Sequence, residues 1–458
     1  MKATSMHLAR SIILCVVVSF LSGGELEQIV QRYKEDADKI ISTCLKSDES
    51  FNRLAYVCDT FGPRLSGSRN LENAIDWILA EMASDGLKNV HGEPVMVPRW
   101  VRGEESARLL EPYEKNLTML GLGGSITTPE EGIEAEVLVV SSFEELEEMG
   151  KDAAGKIVLF DAPFTTYGET VKYRYGGATA AAKHGAVASL IRSVGPYSMN
   201  TAHTGGMGYQ DGVPKIPHAA ITIEDAAMLH RLQEYGERIV VMLKMDAHFK
   251  EDAPSRNVLA ELRGSEKPEE VVVVGGHIDS WDVGQGAHDD AGGCVAAWEA
   301  VRILKEMGFR PRRTIRVVLW TNEENGGRGS KAYRDAHKDE LDKHILAIES
   351  DHGVFRPTGF GFTGSELAMS AHREIAKLLE SIGADSVIEG GVEADTSPLE
   401  EYGVPLMSLE VDGSRYFWYH HTHADAIDKV NPEEFKRCIA TLAVMAYVAA
   451  DFPDGYLR

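Results

Sequence analysis

Residues 271–293 read VVVVGGHIDSWDVGQGAHDDAGG, and this stretch decides the fold of the chain. It begins with an apolar run that predicts a buried β-strand, and it places His277 and Asp279 directly after that strand. Asp289 and Asp290 follow in a glycine-rich turn that leads into a predicted helix. Imidazole and carboxylate groups gathered at the end of a strand are typical of a metal site, because Zn²⁺ accepts both kinds of ligand.

The chain from about residue 254 onward alternates predicted strands with predicted helices. The strands are expected at 271–275, 314–320, 345–350 and 405–411, and the helices at 294–307 and 366–382. This order predicts an α/β fold with a mostly parallel sheet flanked by helices on both faces. Ligands of such sheets lie beyond the carboxyl ends of the strands. Glu323, Glu324 and Asp351 follow predicted strands in that position.

Ligand-type side chains thus recur at successive strand ends and turns. A lone histidine or a lone glutamate pair is more often part of the solvated surface, but the whole series predicts a two-metal hydrolase site. We expect Asp289 to bridge the metals, because a carboxylate offers two oxygens and the neighbouring glycines let the backbone approach closely. The remaining ligands are expected to be His277, Glu324, Asp351 and His421.

Adjacent Glu323 and Glu324 point in different directions from an extended or turning backbone, so one can bind metal while the other reaches a water that bridges the ions. Metal binding brings the pKa of such a water near neutrality. A nearby carboxylate can then accept its proton and pass it to the leaving amine. We expect Asp279 to hold the other N–H of the preceding histidine, and Asp425 to do the same for His421.

The length and the net charge of the chain limit its domain organisation and its partners. Its 458 residues suffice for two or three domains. The net charge of −24 argues against nucleic acid as a partner, because a binding protein must neutralise phosphates. A smaller α/β unit without metal-type clusters is predicted at 112–248, as an insertion into a domain formed by 24–111 and 249–458.

The N-terminus, residues 1–23, has the pattern of a secretory signal peptide. Lys2 and Arg10 flank the start of an apolar run at 12–21, which is too short to span a bilayer comfortably. We therefore expect a luminal or secreted mature chain without a membrane span. The glycosylation sequon at Asn116 fits that route. The chain has five cysteines, too few for a disulfide framework, although one bridge is possible.

The series HxD, Asp-Asp in a glycine-rich turn, EE, Asp and HTxxD resembles a known family. It is similar to the co-catalytic zinc peptidases, which include secreted bacterial aminopeptidases and the folate-hydrolase/transferrin-receptor group. The resemblance implies two Zn²⁺ per chain, with the ligand sets His277 with Asp351 and Glu324 with His421. It also implies that Asp289 is the bridge, that Glu323 is the general base, and that a non-proline cis peptide follows the bridging residue.

Three further segments resemble one carboxypeptidase branch of that family: 62–68 (GPRLSGS), 209–217 (YQDGVPKIP) and 414–421 (SRYFWYHH). This resemblance covers nearly all of the mature chain. It implies that 112–248 is a protease-associated domain within a zinc-peptidase fold. It further implies a secreted or lysosomal homodimer that hydrolyses unblocked dipeptides or short peptides.

One position departs from the folate-hydrolase branch. His420 precedes the ligand histidine where that branch has a tyrosine that helps to bind the oxyanion. The group that polarises the tetrahedral intermediate is therefore open, and the candidates are His420, Tyr416 and Tyr419.

Three other functions are compatible with the same pattern. A broad-specificity aminopeptidase would use the same site on longer substrates. A glutaminyl cyclase on this fold needs a single zinc and no hydrolytic water, and the intact Asp289 disfavours it. A binding protein without catalysis would have no need for a complete ligand set. Zinc content and the hydrolysis of free and blocked dipeptides distinguish these functions.

Overall fold

The computed structural model describes residues 23–458, so the signal peptide expected at 1–23 falls almost wholly outside the described residues. The strands are β1 Lys88–Val101, β2 Glu105–Glu111, β3 Lys115–Leu117, β4 Met119–Gly121, β5 Ile133–Val140, β6 Ile157–Phe160, β7 Ala188–Arg192, β8 His218–Ile221, β9 Val240–Met245, β10 His248–Leu262, β11 Lys267–His277, β12 Arg313–Trp320, β13 His344–Glu349, β14 Pro357–Thr363, β15 Ser386–Glu389 and β16 Leu406–Val411. The helices are α1 Gly23–Gln31, α2 Lys34–Cys44, α3 Glu49–Phe61, α4 Arg69–Ser84, α5 Phe143–Met149, α6 Tyr167–Lys183, α7 Ile223–Glu234, α8 Gly292–Glu306, α9 Arg328–Ala336, α10 Glu366–Ala376, α11 Tyr416–Tyr419 and α12 Pro432–Asp451. None of these helices has both the length and the apolar character that a bilayer crossing requires.

The first sheet confirms the predicted parallel core. Its eight strands run in the order β1-β10-β12-β11-β13-β16-β14-β15, and the pairs from β12 to β16 are parallel. Alternate valines of β11 enter opposite cores: Val272 and Val274 pack in one and Val271 and Val273 in the other. The sheet is therefore covered on both faces, which explains why β11 reads as an unbroken apolar run.

The second sheet also has eight strands, in the order β3-β2-β9-β5-β6-β7-β8-β4, of which β5 to β8 are parallel. It begins earlier than the expected boundary at 112. β2 pairs with β9, with Ala107 opposite Leu243, so residues 105–111 belong to this unit. The chain leaves the first sheet through a turn in which Gly103 has a φ of 69°, a conformation that favours glycine.

The second unit leaves and rejoins the first sheet at one place. β1 and β10 form a long antiparallel pair, and Val101 lies opposite His248 at its end. The unit is therefore inserted between two paired strands, which fixes its position relative to the first sheet. Arg102, the first residue of the crossing, binds Asp282 of the peptidase half through Nε and Nη2 at 2.9 and 2.5 Å.

Helices α1 to α4 from the N-terminus complete the large core on one face of the first sheet, where α2 and α3 contact α8 and α12 and α1 contacts α10. The cysteines of residues 23–458 are all buried in this core as free thiols, namely Cys44, Cys58, Cys294 and Cys438. The single bridge that the sequence left open is therefore not formed among them.

Candidate metal centre

The parallel strands bring the predicted ligands together. His277 is the last residue of β11, and Glu323 and Glu324 follow β12, its hydrogen-bonded neighbour. Asp351 follows β13 on the other side of β11. Asp289 lies in the turn that leads into α8, directly above these strand ends. All of these side chains meet at one edge of the sheet because parallel strands end on the same side.

Two histidines face the two oxygens of one carboxylate. His277 Nε2 lies 3.2 Å from Asp289 Oδ1 and 3.1 Å from Asp351 Oδ1. His421 Nε2, from the segment after α11, lies 3.3 Å from Asp289 Oδ2 and 3.1 Å from Glu324 Oε2. Asp289 thus stands between two separate histidine–carboxylate pairs, which is the arrangement that a bridging ligand needs.

The charges of the site fit a metal better than a self-contained hydrogen-bond network. Asp289 Oδ2 and Glu324 Oε1 are buried and have no hydrogen-bond partner. Burial raises the pKa of Glu324 well above its usual range and that of Glu323 to about 8. Buried carboxylates are stable as anions only when a cation or hydrogen bonds compensate them. Imidazole nitrogens beside carboxylate oxygens are a donor set that suits Zn²⁺.

Asp290 lies close enough to His277 and Asp351 to be considered as a ligand. Its oxygens are already used, because Oδ1 accepts a hydrogen bond from Gly293 N at 2.9 Å and Oδ2 accepts one from His277 N at 3.1 Å. It therefore braces the turn instead of joining the ligand set. The peptide bond between Asp289 and Asp290 is cis, as the family resemblance implies.

Two of the three oxyanion candidates line the cavity. Tyr416 and His420 are buried and line the cavity together with Asp289, with their ring centroids 5.1 Å apart. Burial lowers the pKa of His420 to about 3, so its ring is neutral. Tyr419 does not line this cavity, because its ring stacks on His288 at 5.7 Å. Residues three apart on a helix lie near the same face, so their spacing did not separate Tyr419 from Tyr416, and the stacking of Tyr419 on His288 did.

Asp279 supports the site in a way that differs from the expectation. His277 Nδ1 lies 3.0 Å from the backbone carbonyl of Asp279, whereas the nearest carboxylate oxygen is 3.9 Å away. The carboxylate accepts hydrogen bonds from Ser66 Oγ at 3.1 Å and from Glu323 N at 3.0 Å. The carbonyl therefore orients the histidine, and the carboxylate orients the backbone of the expected general base.

Asp425 also differs from the expectation. Its oxygens accept hydrogen bonds from His288 N at 2.8 Å and Asp289 N at 3.1 Å, so it holds the bridging turn and not the imidazole of His421. His421 Nδ1 instead lies 3.3 Å from the carbonyl of Thr204, a residue of the second unit. No local sequence pattern predicts this contact, because the two residues are 217 positions apart.

The second unit also closes the cavity, which has a volume of about 350 Å³. Arg174 of α6 lines it and is buried, at 6% exposure. Its Nη2 donates to Tyr167 Oη at 2.7 Å, its Nε donates to Gly206 O at 3.2 Å, and its Nη1 lies 3.3 Å from His421 Nδ1. None of these partners is a carboxylate. Sequence reasoning missed Arg174, because nothing in the small-residue pattern of α6 indicates that it faces a site on the other unit.

The fold and the ligand set together define a zinc metallopeptidase. Residues 257–446 match the model of Peptidase family M28. The chain is 49% identical to carboxypeptidase Q of Bos taurus, over 94% of this chain and 92% of that protein. It is likewise 49% identical to carboxypeptidase Q of Homo sapiens, over 89% of this chain and 86% of that protein. The chain therefore belongs to the carboxypeptidase Q group of peptidase family M28, and it is a zinc metallo-exopeptidase.

A solved structure supports the same assignment. A peptidase M28 precursor from Shewanella amazonensis matches with a TM-score of 0.90 at 36% identity, over 94% of this chain and 99% of that one. A zinc aminopeptidase from Bacillus subtilis matches with a TM-score of 0.65 at 21% identity, which shows the fold alone. Because the first match spans both units, the complete two-unit architecture recurs in that relative.

Proposed function

We propose that this chain is a two-zinc dipeptidase that hydrolyses dipeptides with free termini. The observation that carries this proposal is a small cavity with a guanidinium and a carboxyl group on its wall. Arg174 supplies a buried guanidinium without a carboxylate partner, and Glu393 supplies a carboxyl group whose side chain is 14% exposed. The volume of about 350 Å³ is near the lower end for ligand pockets, which favours a short substrate.

The ligands divide into two sets around one shared carboxylate. His277 and Asp351 would hold one zinc ion, Glu324 and His421 would hold the other, and Asp289 would contact both. When bound, the ions polarise the scissile carbonyl and make a water molecule more acidic. The support for two ions is that Asp289 Oδ1 faces His277 and Asp289 Oδ2 faces His421.

Glu323 is the proposed general base. It lines the cavity beside the ligands, and the hydrogen bond from its backbone N–H to Asp279 Oδ1 fixes its position. Burial raises its pKa to about 8, so its carboxylate can hold a proton taken from water and release it to the leaving amine. Tyr416 and the neutral ring of His420 line the same cavity and are the proposed donors to the oxyanion.

Arg174 is proposed to bind the free carboxylate of the substrate. If His421 Nε2 faces a metal, the neutral ring carries its proton on Nδ1 and donates it to Thr204 O. Arg174 Nη1 then has no acceptor on His421 and can donate to an incoming carboxylate. Guanidinium–carboxylate pairs are charge-assisted and directional, so such a contact selects for a free C-terminus. Glu393 is the matching acceptor for the free amine.

Blocked substrates test this proposal. The protein should hydrolyse a free dipeptide and lose activity on its N-acetyl and C-terminal amide forms. Arg174→Met should raise KM for the free dipeptide by roughly 10- to 100-fold and leave the rate on the amide form unchanged, because one charge-assisted contact is lost. Arg192→Met is the control, since Arg192 pairs with Asp161 elsewhere in the second unit. Equal hydrolysis of free and amidated dipeptides would contradict the proposal.

A broad aminopeptidase is the second candidate, and one observation favours it. A further cavity of about 390 Å³ shares Arg174 and Glu324 with the first and is lined by the exposed Tyr175 and Phe249. That space could hold the rest of a longer peptide. Tripeptides distinguish the two functions, because an aminopeptidase releases the first residue of a tripeptide at a rate similar to that of a dipeptide.

The remaining family features are proposed with the same enzyme. The second unit, expected at 112–248, would be a protease-associated domain, and the protein would be a secreted or lysosomal homodimer. Asn116 is exposed on the edge strand β3, where a glycan can be attached. A mass shift on enzymatic deglycosylation of the secreted protein, together with its mass in solution, tests these features.

A further inference from the structure

The ligand His421 has an unusual backbone. Its φ is 60°, in the left-handed region that residues with a side chain rarely adopt. Such a conformation persists only where surrounding contacts hold it in place. The residue is buried, at 8% exposure, so the contacts that hold it must come from protein groups.

Two of those contacts come from a single residue of the second unit. The backbone N–H of Thr204 donates to the carbonyl of His421 at 2.9 Å. The carbonyl of Thr204 lies 3.3 Å from His421 Nδ1. Thr204 therefore fixes both the main chain and the ring of the same ligand.

Among residues 23–458, the peptidase half supplies no hydrogen-bond acceptor for His421 Nδ1 in place of the Thr204 carbonyl of the second unit. Asp425 is bound to the backbone of the bridging turn instead. Arg174 Nη1 lies near the same ring nitrogen, but a guanidinium can only donate. When Nε2 of His421 binds a metal, the proton of the neutral ring lies on Nδ1, where the carbonyl of Thr204 can accept it.

Thr204 is itself tied to both units. Its hydroxyl donates to Gly121 O at 2.9 Å and accepts from Arg102 Nη2 at 3.2 Å. Arg102 also binds Asp282 of the peptidase half through two nitrogens. The hydroxyl of Thr204 is therefore the link between the junction of the two units and the metal ligand.

We propose that Thr204 is a positioning residue that locks His421 in its ligand conformation, so that the second unit forms part of the metal site. This inference rests on the proposed two-zinc function. It predicts that loosening Thr204 lowers the affinity for the zinc ion on the side of Glu324 and His421. The affinity for the ion on the side of His277 and Asp351 should not change.

Thr204→Val tests the lock, because it removes the hydroxyl and retains the shape. Thr128→Val is the matched control, since the Thr128 hydroxyl bonds Met245 in the same unit at 3.3 and 3.1 Å, away from His421. We expect the affinity for one zinc ion, measured by competition with a chelator, to fall roughly 3- to 10-fold in Thr204→Val. That is below the 10- to 100-fold typical of losing an outer partner of a ligand, because the Thr204 carbonyl remains. Arg102→Lys should lower the affinity for the same zinc ion.

Several outcomes would overturn the lock. These are unchanged affinities in Thr204→Val, an equal loss at both ions, or an equal loss in Thr128→Val. A second readout does not require metal. In the metal-free protein, the ring signals of His421 should show a single conformation, and Thr204→Val should broaden or split them, whereas Thr128→Val should not. If the unaltered protein binds fewer than two zinc ions, the proposed function fails, whereas the ring signals still decide whether Thr204 holds the ring.

Discussion

The two sheets of this molecule place carboxylates at the same topological position and use them differently. In the second sheet, Asp161 directly follows the parallel strand β6 and pairs with Arg192 at 3.0 Å and His230 at 2.7 Å. At the edge of the first sheet, Glu324 and Asp289 each have a buried oxygen without a hydrogen-bond partner. A carboxylate beyond a strand end is therefore not enough for a metal site. What matters is whether protein cations already compensate it.

Carboxyl groups with raised pKa values extend beyond the candidate ligands. Burial raises the pKa of Glu349 and of Glu393 to about 8, as it does for Glu323. Burying the edge of the first sheet without a cation is therefore costly, whereas Asp161 of the second sheet already has cationic partners.

The largest expected effect concerns the general base. Glu323→Gln should lower turnover by about 10²- to 10⁴-fold, because the amide cannot accept a proton from water. Zinc should remain bound, since Glu323 is not in the ligand set. Asp161→Asn, the matched change in the second sheet, should leave turnover within a few-fold of the unaltered protein. Steady-state kinetics and elemental analysis measure both, and near-normal turnover in Glu323→Gln would remove the assignment of the base.

The next effect concerns the bridge. Asp289→Ala should lower the affinity for both zinc ions by more than about 100-fold, because losing a direct ligand costs more affinity than losing an outer partner. Elemental analysis after dialysis gives the zinc content per chain. Asp161→Asn should retain the normal content. Two ions per chain in Asp289→Ala would show that Asp289 is not shared between the metals.

A smaller effect concerns the free energy of unfolding of the metal-free protein. Removing a carboxylate should change it with opposite signs in the two sheets. The folded-state pKa of Glu324 is raised, so the stability that this group contributes is complete below about pH 4.5 and is lost as pH rises toward the folded pKa. At pH 7, Glu324→Gln should therefore raise the free energy of unfolding by about 1 to 3 kcal/mol. Asp161→Asn should lower it by about 1 to 3 kcal/mol, because its ion pairs are lost. Denaturant unfolding in chelator measures both, and equal signs would contradict the comparison.

The smallest effect should be the same in both regions. Burial lowers the pKa of His218 in the second sheet and of His372 in the peptidase half to about 4. Each histidine is neutral when folded and takes up a proton when unfolded below about pH 6.5, so stability falls as pH decreases from 6.5 toward 4. One pH unit below 6.5 should cost about 1 kcal/mol per histidine. His218→Gln and His372→Gln should each reduce this slope, and unequal reductions would show that the regions differ in more than their carboxylates.

The sequence predicted the parts of the site that depend on strand direction. The apolar run of β11, followed by His277, is sufficient to place a ligand at the sheet edge, because buried parallel strands expose only their ends. Glu324 and Asp351 follow neighbouring strands by the same rule. The pairing of β2 with β9 was not predictable in this way, since a short exposed strand can join either sheet, and residues 105–111 therefore lie in the second sheet.

The partners around the ligands were less predictable. Asp425 was expected beside His421 because it is four residues away, but its carboxylate holds the turn that contains Asp289. Tyr419 was grouped with Tyr416 by proximity, although the turn of α11 directs it to a different neighbour. Sequence distance limits which groups can meet, but it does not fix side-chain direction.

The sequence by itself therefore determined the parallel core, the ligand types and their order, because these follow from local hydrophobic patterning and from residue chemistry. The tertiary structure alone decided that Arg174 and Thr204 of the second unit lie beside the candidate ligand His421. Those contacts join segments more than 200 residues apart on two different units. Their formation depends on how the second unit is seated on the β1–β10 pair, and no local pattern encodes that placement.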